Sequence, residues 1–279
     1  MALGNAKLIL NKVHGLSASK LLLLTAKYSR PALSPLCMLL LRPFVHDHEI
    51  TIHYKQAHRN LCVKIRTSDE LSDLHSILEV IVRKAYPLDP DFAADLIIDG
   101  GANIGLFSLQ AAAVYPSARI LACEPLPRNL IQVEKHLRLN NVTAEILPVC
   151  IGGAPRTIPF FCRGANASSF DPDTPYDSVL EIDVLSFAAL VMGQSAQRIL
   201  IKLDIEGMEV EALEGYIPQE DRAVMIFCEL HGYKQRRLAL EELLALHGWS
   251  IEWGDISGED AVFRALSPAA LALNQGPRT

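Results

Sequence analysis

Residues 96–107 read LIIDGGANIGLF, and four of them have types and spacing suited to ligand binding: Asp99, Gly101, Asn103 and Gly105. A dinucleotide turn would need G-x-G-x-x-G, but when Gly100 is taken as the first glycine, Ala102 stands where the second belongs. The missing glycine matters because a pyrophosphate must approach the backbone closely at a helix N-terminus. Asp99, at the end of an apolar run, would repel such an anion. A ligand with an ammonium, a sulfonium and a ribose but no phosphate fits better, and S-adenosylmethionine is one. Glu124 closes the next apolar run, where a carboxylate can accept both ribose hydroxyls. Dinucleotide enzymes use the same device, so Glu124 alone does not discriminate.

A second cluster lies in IKLDIEGMEVEALEG. Lys202 and Asp204 are two apart on a strand and share one face. The bland reading is a structural ion pair, because a buried charge needs a partner. Glu206 and Glu209 then favour the N-terminus of the following helix, and for Glu209 that structural role weighs as much as a functional one. FCELHG places Glu229 and His231 on one face of the next strand end. His46 and His48 share a face if extended, but lie outside the main domain, so no metal site is expected there.

These residues need elements to bring them together. Alternation in EITIHYK and NLCVKIR predicts a β-hairpin over 49–66, and helical spacing from Thr67 to Tyr86 predicts a helix. Residues 1–90 read as an N-terminal extension, with one or two short amphipathic helices that could cap the core, cover substrate, form a dimer surface or, least expected, lie against a membrane. From residue 93, apolar strands alternate with helices: ADLIID, ARILACE, AEILPVC, RILIKLD and AVMIFCELH are the strands, and WSIEWG and AVFRAL close as an antiparallel pair. This is the pattern of an α/β fold with a mostly parallel sheet covered on both faces. Ligands in such sheets sit at the carboxyl ends of strands, which puts Asp99, Glu124, Ile151, Asp204, Glu229 and His231 on one rim. RTIPFFCRGANASSFDPDTPYDSVLEIDVL interrupts the rhythm as an inserted hairpin, and its loop 163–177 is a candidate for substrate selection. The main domain spans 91–268, and 269–279 reads as a frayed tail.

Composition narrows the partners. Half the residues (50%) are hydrophobic and 21% are charged, which is globular. The net charge of -6 argues against a nucleic-acid partner. Apolar stretches near the N-terminus are broken by Lys, Arg and Pro before reaching the about 18 residues of a membrane span. The six cysteines have wide, irregular spacing, so buried thiols in a cytoplasmic protein are expected.

Taken together, LIIDGGANIGLFSL, ILACEPLPRNL, LIKLDIEGMEVEALEG and IFCELHG resemble the FkbM-type family of S-adenosylmethionine-dependent methyltransferases, over about residues 64–231. The resemblance implies a class I methyltransferase, Rossmann-like fold: seven strands, the last antiparallel. It implies cofactor contacts from Asp99, Gly101, Asn103 and Gly105, with Glu124 on the ribose and Pro125 near the adenine. It also implies transfer to oxygen, commonly a hydroxyl on a sugar, polyketide or other natural-product scaffold, with a carboxylate acceptor as the alternative. LSFAAL lacks an acidic residue common in the family before strand four, so no role is assigned there.

An alcohol is a weak nucleophile, so a base is expected. His231, oriented by Glu229, is the first candidate and Asp204 the second, although Asp204 could hold the cofactor's amino group instead. A divalent metal on Asp204, Glu229 and His231 is the less favoured route. An NAD-linked oxidoreductase and a non-catalytic cofactor-binding protein remain the other readings.

Overall fold

The computed structural model describes residues 49–66, 72–162, 176, 178–216 and 222–274. The amphipathic N-terminal helices, the His46/His48 pair and most of loop 163–177 therefore lie outside the described residues.

The centre is a seven-stranded sheet. Its strands are β3 (Leu96–Gly100), β4 (Arg119–Cys123), β5 (Glu145–Leu147), β9 (Arg198–Leu203), β10 (Ala223–Leu230), β11 (Ser250–Ser257) and β12 (Asp260–Leu266), in the order β11-β12-β10-β9-β3-β4-β5. β3, β4, β5, β9 and β10 pair in parallel, and β12 runs antiparallel between β10 and β11. β3 is buried at every position. Its side chains alternate between two cores: Leu96 and Ile98 face one, Ile97 the other. Both faces are covered, which explains the unbroken apolar runs.

β1 (Glu49–Gln56) and β2 (Arg59–Arg66) form the expected hairpin. Its inward residues Ile52, Leu61, Val63 and Ile65 share the Ile97 core, so this part of the extension is built into the domain. Polar side chains fasten it to helix α3 (Pro127–Leu139) and the residue after it: Asn140 exchanges hydrogen bonds with Cys62 N and O, and His136 lies between Lys64 and Ile104 O. Arg66 pairs with the buried Asp73 at 2.7 Å.

The helix expected over Thr67–Tyr86 is described as α1 (Ser72–Ser76) widening into a π-helical segment, Ile77–Arg83. It ends at Lys84, whose φ is 56° and whose N–H bonds Glu79 O. Such widened turns reorient side chains and recur at functional sites.

Two expectations need correction. The third strand, AEILPVC, is divided at Pro148, which has no N–H to donate. Glu145–Leu147 stays in the main sheet, while β6 (Cys150–Gly152) pairs with β8 (Ser178–Ser186). β8 also pairs with β7 (Arg156–Cys162) as the inserted hairpin. The first part of the tail expected over 269–279 is the second correction: Pro268–Asn274 form a helix that buries Ala270, while 275–279 lie outside the described residues. Ser267 caps it, accepting from Ala270 N at 3.2 Å, with a proline at the first helical position.

Among the described cysteines none is disulfide-bonded, and Cys123, Cys150, Cys162 and Cys228 are buried.

Candidate active site

The glycine turn links β3 to helix α2 (Leu106–Val114). The N–H groups of Gly101 and Ala102 both bond Cys123 O, which folds the turn over the end of β4. Gly101 has φ 72°, and a Cβ there would sit 1.9 Å from Asp204 O. Only glycine allows strands β3 and β9 to present their ends this close. Gly105 has φ 80° and is the residue before α2, with ordinary clearance from Val133. Asn103 also takes a left-handed φ of 52°. Its Nδ2 bonds Ser76 Oγ at 2.9 Å, tying α1 to the turn.

Glu124 lies under the turn, with its carboxylate occupied by N–H groups. Oε2 accepts from Asn103 N at 2.8 Å, and Oε1 from Leu126 N at 3.0 Å and Asn129 Nδ2 at 3.3 Å. Burial pushes its pKa up to about 7, although those hydrogen bonds oppose the rise. A cleft of about 600 Å³, partly open to solvent, runs past Glu124. Of the sequence-derived cofactor residues, Gly101, Asn103, Glu124, Pro125 and Ile151 line it, together with Asp204.

Asp99 and Gly105 do not line the cleft among the described residues. Asp99 is fully buried behind the turn, where Oδ2 accepts from Ser108 N (3.1 Å) and Oγ (2.6 Å). Its Oδ1 is 3.8 Å from Lys202 Nζ. Desolvation raises its pKa, and Lys202 and Ser108 oppose that rise. The structure thus sets Asp99 and Gly105 in the frame of the turn, behind the residues that line the cleft.

Lys202 confirms the same-face pairing with Asp204, at 3.3 Å. Its ammonium also donates to Gly100 O (3.2 Å) and Gly101 O (2.6 Å). One buried cation thus serves two carboxylates and locks the two strand ends together.

Beside this lock lies a carboxylate-rich rim. His231 Nδ1 is 2.9 Å from Glu209 Oε1, and Glu209 also accepts from Ile205 N and Gly207 N. His231 Nε2 is 3.8 Å from Glu206. Burial works against the imidazolium, but the hydrogen bond and charge of Glu209, then Asp204 and Glu206, raise the His231 pKa to about 10. The expected orienting residue, Glu229, is corrected to Glu209. Glu229 instead hydrogen-bonds the carboxyl of Glu79, on the π-helical segment. Burial first, then Asp204 and Glu79, push Glu229 up to about 9.

Neither Glu229 nor His231 lines the cleft directly. Asp204, Glu206 and His231 have ligand atoms within 4.8 Å of one another, as do Glu229, His231 and Asp260. The expected metal trio of Asp204, Glu229 and His231 is thus divided between two groups. Sequence reasoning missed Glu79 and Tyr86, which the widened turn and its C-terminal end bring to the site. A lone Glu in an amphipathic helix carries no signal of its own.

A parallel sheet with one antiparallel strand between the last two parallel ones, and a glycine turn facing an acid at the second strand end, define the class I, Rossmann-like methyltransferase fold. The methyltransferase FkbM domain matches residues 99–254. The chain belongs to this methyltransferase family. It is 24% identical to "Methyltransferase 1" of Beauveria bassiana over 55% of this chain and 73% of that protein. It is 30% identical to "Methyltransferase sdnD" of Sordaria araneosa over 43% of this chain and 59% of that one. The solved methyltransferase FkbM from Methylobacillus flagellatus matches 67% of this chain and 47% of its own, at 19% identity and a TM-score of 0.46. The match thus spans about half of that solved chain. No helix among the described residues is long and apolar enough to cross a membrane.

Proposed function

We propose that this chain is an S-adenosylmethionine-dependent O-methyltransferase acting on a hydroxyl of a small-molecule scaffold. The observation that carries the cofactor reading is the buried Glu124 carboxylate on the wall of the cleft. Oε1 already accepts two N–H groups, but Oε2 accepts one, from Asn103 N, and keeps acceptor capacity for a ribose hydroxyl. The acceptors fit the remainder too: Asn103 Oδ1 is buried without a partner beside the cleft. Gly101 and Asn103 would hold the centre of the cofactor, and Pro125 and Ile151 the adenine. The bound cofactor supplies an activated methyl group and its own leaving group.

The chain's task is to align the acceptor and take its proton. His231 is our candidate base. Glu209 binds Nδ1, so the neutral ring keeps its proton there and leaves the Nε2 lone pair for the acceptor hydroxyl. A cationic ligand near Asp204 and Glu206 offsets the charges that hold the Nε2 proton, which prepares the ring to act as base. Asp204 then has a binding role. A hydroxyl acceptor, rather than a carboxylate one, is favoured by this need for a base.

The test is calorimetric binding of S-adenosylhomocysteine and NADH, followed by a screen of acceptors with labelled S-adenosylmethionine, with and without chelator. Wild type should bind the homocysteine nucleoside and not NADH, and Glu124→Ala should weaken that binding by about tenfold or more. NADH binding, or an unaffected Glu124→Ala, would sink the reading. Activity lost to chelator would transfer the proton-removing role to a metal.

A further inference from the structure

A second, smaller chamber, partly open to solvent, lies against the glycine turn. It shares Gly101, Asn103 and Asp204 with the main cleft, so one extended molecule can occupy both. Its remaining polar walls are Lys202 and, from the N-terminal extension, Ser76, Glu79 and Tyr86. The Tyr86 hydroxyl is buried, the residue being only 2% exposed, and has no hydrogen-bond partner. A buried hydroxyl without a partner is costly and marks a place where a ligand can supply one.

The chamber is also short of positive charge. Lys202 is the cation on its wall, and its three N–H groups are already directed at Gly100 O, Gly101 O and Asp204. Asp99 and Asp204 both lean on that single ammonium, while Glu79 and Glu229 are in contact with each other. An alkylammonium brings one positive charge and three donors. Glu79, Tyr86 Oη and Asp204 are three acceptors.

We propose that this chamber is the subsite for the α-ammonium of the cofactor's amino-acid end, with Glu79, Tyr86 and Asp204 as its acceptors. The inference rests on the cofactor reading above, and it gives the N-terminal extension a direct part in cofactor binding. The same ammonium chemistry could belong to an amine on the acceptor, and the probes below separate the two.

Binding to the full chain is measured by calorimetry with S-adenosylhomocysteine, its des-amino analogue and 5′-methylthioadenosine, which keeps the nucleoside and thioether but lacks the amino acid. Wild type should bind the des-amino analogue about tenfold or more weakly than S-adenosylhomocysteine, a comparison that needs no variant. Glu79→Gln should weaken S-adenosylhomocysteine by about tenfold and Tyr86→Phe by about fivefold, while methylthioadenosine stays within about twofold for both. Equal affinity for the two homocysteine compounds, or variants that lower both nucleosides alike or neither, would overturn the subsite; an acceptor amine would give that result. Failure of wild type to bind any of the three would overturn the cofactor reading and the subsite with it.

Discussion

Asp99 and Glu124 are both buried carboxylates at strand ends, yet their surroundings assign them different tasks. Asp99 faces inward to Ser108 and Lys202, whereas Glu124 lines the cleft. In the proposed reaction, His231 is the residue whose proton matters most. With its pKa raised to about 10, the ring of the free protein is charged at neutral pH. The base form grows as pH rises toward that value, so kcat/KM should climb with pH across the neutral and mildly alkaline range. Glu209→Gln removes the partner charge, lowers the His231 pKa and should move that rising limb down by about two pH units. His231→Ala should cut turnover by roughly 10²–10⁴-fold with little change in S-adenosylhomocysteine binding. A limb that Glu209→Gln leaves in place would assign the proton transfer to another group. The type and position of His231 were legible in the sequence. Its partner was not, because Glu209 reaches it from another element, the start of the helix Glu209–Gly215, whereas His231 follows β10.

At the scale of elements, the glycine turn depends on two glycines for different reasons. Gly101 combines φ 72° with a near collision at Asp204 O, whereas Gly105 has φ 80° and only ordinary van der Waals contact with Val133, at 3.5 Å. Gly105→Ala should therefore cost about 1 kcal/mol, the left-handed penalty alone. Gly101→Ala should cost about 2–5 kcal/mol, because the two strand ends must also separate. Denaturant melts of the two variants decide this, and equal losses would refute the steric account. The strand–turn–helix order was readable from periodicity. The division at Pro148 and the cap at Ser267 carried local signals in proline and serine. The widening at Ile77–Arg83 carried none, since a π-turn preserves the apolar pattern of an α-helix over so short a span.

Over the whole molecule, the hairpin β1–β2, α1 and the sheet share one core, so they should unfold together. The ion pair from Arg66 to Asp73 sits at that junction, with the Asp73 side chain fully buried. Asp73→Ala removes the countercharge of the partially buried guanidinium, leaving it the neutral acceptors Arg128 O and Asn129 Oδ1, and should cost about 3 kcal/mol. Chemical denaturation followed by fluorescence and circular dichroism should still give coincident transitions. A separate early transition would show the hairpin to be an independent unit.

Sequence alone determined the sheet class, the turn, the strand-end acids and the family resemblance. These rest on periodicity, glycine spacing and residue type, which act over a few neighbours along the chain. Only the tertiary structure decided that Asp99 turns inward, that Glu209 rather than Glu229 holds His231, and that Glu79 and Tyr86 reach the site. Hydrogen bonds and ion pairs between distant segments depend on register and approach in space, and neither is encoded in local spacing.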